Sequence, residues 1–89
     1  MKVLVIYRPN SEQARSVEEF IREFERRHDQ GYRLEVISID SRDGSATASL
    51  YDILQHPAIL VLADNGSVQQ SWVGDSLPRI ADVVAYARA

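Results

Sequence analysis

Few side chains in this 89-residue sequence can do chemistry: two histidines, thirteen carboxylates, a set of serines and no cysteine. Without a thiol there is no disulfide, no thiol–disulfide exchange and no cysteine-based zinc or iron–sulfur site within the chain. His56 belongs to the residue type that most often serves as acid, base or metal ligand. Spacing, however, assembles no nucleophile, base and orienting acid around it, so we assign it a structural or binding role. His28 sits at the end of a helical pattern, where it complements the helix dipole. Asp40, Asp43, Asp52 and Asp64 are scattered over loops and turns and match no metal-binding loop. Neither a catalytic residue nor a metal or cofactor is expected. Arg8 and Arg15 flank a helix start, where exposed N–H groups and cations can hold an anion, although surface arginines are commonly just solvated.

Composition bounds the setting of these residues. The hydrophobic fraction of 45% and charged fraction of 26% are those of a globular protein. The length fits a single domain over residues 1–89, one that buries about 60–65% of its unfolded surface. A formal net charge of -3 argues against a phosphate-backbone footprint, so no nucleic-acid partner is expected. The run Val3-Leu4-Val5-Ile6 is too short for a secretory segment or a membrane span. The expected compartment is the cytoplasm, with no membrane association.

Periodicity then supplies the elements that must position the site. Lys2 to Tyr7 is a β-branched apolar run closed by Arg8-Pro9-Asn10, the pattern of a strand buried on both faces. From Ser11 to about His28, Ala14, Val17, Phe20, Ile21 and Phe24 share one helical face. Asn10 with Gln13 fits a capping box, and Ser11 is an alternative cap. Glu18 before Arg22 and Glu23 before Arg27 are favourable four-residue pairs, and Gly31 is a plausible stop. A second strand spans Leu34 to Ile39, with one face better covered, and Ser41 to Ser45 has the composition of a loop.

The central stretch is expected to be a short helix from Ala46 to Leu54, ended by Pro57, which disfavours helical geometry in His56. Ala58 to Ala63 follows as a buried central strand. Asn65-Gly66, both tolerant of positive φ, turns the chain into an antiparallel partner from Val68 to Val73. Trp72, on the same strand face as Val68 and Gln70, is expected to be partly buried. Gly74 ends that strand. Asp75 or Ser76 caps a last helix with Pro78 in its first turn, burying Leu77, Ile80, Val83, Val84 and Ala87. The order βαβαββα requires a parallel crossover followed by a hairpin, in a mixed four-stranded α/β sheet with helices on both faces.

That order resembles the thioredoxin fold. Tyr51-x-Ile53-x-x-x-Pro57, followed by an apolar strand and an Asn-Gly turn, is similar to the thioredoxin segment that ends in a cis-proline, and Val73-Gly74 also fits. The resemblance covers nearly the whole chain and implies a redox-inactive member. Where the family opens its first helix with CxxC, this chain has Ser11-Glu12-Gln13-Ala14. A serine hydroxyl neither attacks a disulfide nor resolves one. Pro9-Asn10-Ser11 with Ala14, and Gly74-Asp75, are also similar to the KaiB family of cyanobacterial clock proteins, which implies a partner-binding role towards an ATPase or kinase. The chain lacks the longer proline-rich stretch of that family.

In such a fold Arg8, Asn10, Ser11, His56, Pro57 and Ala58 would converge on one surface, where backbone beside the proline can pair with an extended peptide. The resulting expectation is a non-catalytic interaction or regulatory module that binds a protein or peptide at this surface or along an exposed edge strand. The alternative is a glutathione-binding, transferase-like protein using Ser11 in place of cysteine. It is weakened by the lack of the helical second domain that such transferases carry.

Overall fold

A computed structural model describes residues 1–27, 33–74 and 76–87. The elements are β1 (Lys2–Tyr7), α1 (Ala14–Arg27), β2 (Arg33–Ser38), α2 (Arg42–Leu50), β3 (Ala58–Leu62), β4 (Val68–Val73) and α3 (Ile80–Ala87). They build one four-stranded sheet in the order β2-β1-β3-β4. β1 runs parallel to β2 with Val5 opposite Val36, and antiparallel to β3 with Val5 opposite Ile59. β3 pairs antiparallel with β4, Ile59 facing Trp72.

The alternation of side chains along β1 and β3 divides the core in two, which is why both strands read as unbroken apolar runs. Val3, Val5, Ile59 and Val61 point to one face, where Val17, Phe20 and Phe24 of α1 and Val83 and Ala87 of α3 cover them. Leu4, Ile6, Ala58, Leu60 and Leu62 point to the other, packed with Ile37, Ile39, Tyr51 and Ile53. Trp72 is partly buried against the first cluster and meets Tyr86 edge-on, ring centroids 5.8 Å apart.

Four expectations are corrected. The short helix lies four residues earlier than its apolar pattern suggests and takes in the segment read as a loop. Ser41 is its N-cap, its hydroxyl accepting the Gly44 N–H at 2.9 Å. Gly44 is there because of packing: a Cβ would stand 1.8 Å from the Ser38 carbonyl oxygen. Nor does Pro57 end the helix. Asp52 adopts φ 56°, with Asp52 N–H donating to the Ser49 carbonyl and Ile53 N–H to the Ala48 carbonyl at 2.8 Å. That pair of hydrogen bonds is a Schellman motif, complete four residues before the proline.

The hairpin turn also differs. Only Gly66 has positive φ, at 89°, while the Asn65 side chain accepts bonds from the N–H and hydroxyl of Ser67. Gly66 N–H donates to the Ala63 carbonyl and Ala63 N–H to the Ser67 carbonyl, which makes Gly66 the extra residue of the turn, while a separate register step between Val61 and Leu62 skips Gln69. A glycine bulge therefore replaces the two-residue turn. Finally, α3 begins at Ile80 with Arg79 supplying the first carbonyl, so Pro78 precedes the helix. The stop at Gly31, the dipole role of His28 and the cap at Asp75 lie outside the described residues.

Candidate functional site

The first half of the expected site is the connection from β1 to α1. Arg8 is exposed and its Nε donates to Asp40 Oδ1 at 3.0 Å, which commits the guanidinium to the loop after β2. Asn10 is exposed at φ 66°, a left-handed position that asparagine tolerates. Ser11 donates its hydroxyl hydrogen to the Arg8 carbonyl at 2.6 Å, and its own carbonyl accepts the Ala14 N–H at 3.1 Å. Neither Asn10 nor Ser11 is the helix cap. The first helical bond runs from Val17 N–H to the Gln13 carbonyl, so two residues of turn separate Ser11 from the helix.

The second half surrounds the proline. The His56–Pro57 peptide is cis, and Pro57 is fully buried. Its carbonyl accepts the Gly74 N–H at 2.9 Å. Ala58 lies between Ile6 and Val73 in the sheet interior with no exposed surface, so it offers a partner neither side chain nor backbone. This corrects its place among the candidates: a residue on a central strand spends both its polar groups on its neighbours. His56 is half-buried, and its Nδ1 is buried with no hydrogen-bond partner. Its ring lines a groove with Leu54, Gln55 and Gly74. No bond to the His56 backbone occurs among the described residues.

Pro57 and α1 do meet. Glu12, Gln13, Ser16 and Val17 line a hollow of about 280 Å³ together with Pro57 and Leu77. Ser11 is not one of its walls. The two halves of the expected surface are thus joined through the first turn of α1 rather than through the serine. His56 opens on the neighbouring groove.

No protein-family model matches the chain, and no curated protein does. Among solved structures it is similar to the reduced thioredoxin pre-protein of Schistosoma mansoni, with a TM-score of 0.71 and 19% identity, over 98% of this chain and 75% of that one. The fold is thioredoxin-like. That likeness supports the thioredoxin resemblance and lends nothing to the KaiB one.

On this thioredoxin-like frame there is no cysteine anywhere in the sequence, so the chemistry of thiol exchange has no reactive atom. No group of three or more histidine or carboxylate side chains that could hold a metal ion occurs among the described residues. None of the described helices is long and apolar enough to cross a membrane. The hollow is lined by the apolar side chains of Val17, Pro57 and Leu77, with the polar ones of Glu12, Gln13 and Ser16 at its rim.

The rim was not evident from residue types. Ser16 and Val17 lie in the first turn of α1, and Glu12 and Gln13, each four residues before them, lie in the turn that leads into it. That spacing was present, but nothing local says that Leu77 and Pro57 complete the wall.

Proposed function

We propose that this chain is a non-catalytic interaction or regulatory module, which binds a protein or peptide and has no thiol redox activity. The observation that carries the reading is a thioredoxin-like fold with no cysteine in the chain. The hollow beside Pro57 and the open backbone of His56 then serve as the contact surface. An extended segment laid across them finds a hollow of mixed polar and apolar lining for one side chain, and a carbonyl and N–H at His56 with which to pair. Arg8, Asn10 and Ser11 shape this surface through the turn they build.

The alternative, glutathione held by Ser11, gains no support from geometry. A hydroxyl that stabilises a thiolate must donate to sulfur, and the Ser11 hydrogen is already given to the Arg8 carbonyl.

Two measurements test the proposal. Purified chain should show no dithiol-dependent insulin reduction above buffer, and measurable turnover would overturn the redox-inactive part. Immobilised chain should retain a specific polypeptide from a lysate, identified by mass spectrometry, and Leu77→Asp should reduce its capture at least tenfold. Equal capture by that variant would exclude the hollow as the contact. Chemical shifts at Ser11 and His56 on adding millimolar glutathione would instead favour the alternative.

A further inference from the structure

The two edges of the sheet are unequal. β2 carries Arg33 and Glu35, and Glu35 is bound to Lys2 Nζ at 2.7 Å. β4, at the opposite edge, is Val-Gln-Gln-Ser-Trp-Val, and no charged residue occurs from Gly66 to Gly74. Folded proteins keep edges apart with charge, proline or bulges. β4 has neither charge nor proline, and its single irregularity lies at its beginning.

Its outer hydrogen-bonding groups can be placed from two bonds. Gly74 N–H points inward to the Pro57 carbonyl, so by antiparallel alternation Trp72 also turns inward, while Ser71 and Val73 turn their N–H and C=O groups outward. In agreement, Ser71 N–H donates to the side chain of its own neighbour Gln70, at 2.9 Å, and not to β3. On the sheet face shared with Leu60 and Leu62, Val68 and Val73 are each 44% exposed. Leu54, beside Gly74 in the adjacent groove, is 92% exposed.

We propose that β4 pairs antiparallel with β4 of a second copy of this chain about a two-fold axis at Ser71, giving one continuous eight-stranded sheet. Charge selects this occupant. The chain has a net charge of -3, yet along this neutral stretch two copies bring no like charges together, and a charged peptide finds no countercharge there. Twofold pairing also closes on itself, so it ends at two copies. The Gln70 carboxamides swing aside, and the Ser71 N–H and C=O groups exchange bonds across the axis. Val73 and Leu54 of one copy then continue into Val68 of the other on the same sheet face. Pairing along a single edge strand is expected to be weak and dependent on concentration.

Sedimentation equilibrium of the intact chain from micromolar to millimolar concentration tests this. The mass should rise from one chain to two and go no further. Ser71→Lys places two ammonium groups across the axis at an exposed position, and should weaken dimerisation at least tenfold with an unchanged far-ultraviolet circular dichroism spectrum. Ser71→Pro, which removes the N–H at the axis, should do the same if it folds. Arg33→Ala on the other edge should leave the dimer unaltered. A single chain at millimolar concentration, association beyond two copies, a less than tenfold effect of Ser71→Lys, or an equal effect of Arg33→Ala would each overturn the proposal.

Discussion

Glu18 was expected to pair with Arg22 along its helix, and instead accepts the Tyr7 hydroxyl hydrogen at 2.9 Å. Its companion Glu23 is paired with Arg26, one turn position short of Arg27. Burial, then the hydrogen bond to Glu18 and the carboxylate charge, hold the Tyr7 phenol above its ordinary value of 10.0. The folded state thus prefers the neutral phenol more than the unfolded state does. The stability this supplies is fully present below the ordinary tyrosine value and is lost as pH rises through the raised native one. Ultraviolet titration should show a tyrosine transition above the ordinary phenol value. Glu18→Gln should move that transition back towards the ordinary value without reaching it, because burial remains; no movement would show that Glu18 has no part in the shift. Asp64 behaves in the opposite sense: its hydrogen bond from the Met1 ammonium, and that group's charge, hold it below 3.8. Its contribution is present above the ordinary carboxylate range and fades as pH falls through the depressed value.

α2 shows how an element can be legible in kind and displaced in position. Alanines and leucines favour a helix near Ala46 to Leu54, and a short helix is present. Its bounds depend on residues that propensity scores poorly. Ser41 and Gly44 look like loop residues because serine and glycine usually punctuate chains. Here the serine satisfies an N–H of the first turn, and the glycine lets the helix touch the Ser38 carbonyl of β2. Leu50 and Leu54, counted as helix-favouring apolar residues, are left exposed. Gly44→Ala should therefore cost at least about 2 kcal/mol in urea unfolding, because a clash with backbone cannot be relieved by a rotamer change. A loss below about 0.5 kcal/mol would mean that α2 can slide on the sheet.

The molecule as a whole rests on two cores of unequal cover, one beneath α1 and α3 and the other packed with Ile37, Ile39, Tyr51 and Ile53, from β2 and the segments flanking α2. Phe24 is fully buried in the first and stacks on Phe20 with ring centroids 6.0 Å apart. Phe24→Ala should cost about 3–5 kcal/mol, against a total stability of roughly 4–13 kcal/mol for a chain of this length. A fall in the thermal midpoint of roughly 12–40 °C is the expected outcome, and a drop of only a few degrees would count against α1 as the main cover. By itself the sequence determined the order of elements, the parallel crossover and the lack of any thiol for disulfide exchange within the chain. Strand and helix periods are written in neighbouring residues, and a missing thiol is a matter of composition. Only the tertiary structure decided that Ala58 is closed within the sheet and that Ser11 is spent on the Arg8 carbonyl. It also decided that the hollow beside Pro57 is walled by Glu12, Gln13, Ser16 and Leu77. Each depends on groups brought together from distant parts of the chain, where burial and hydrogen-bond satisfaction override what any local pattern can record.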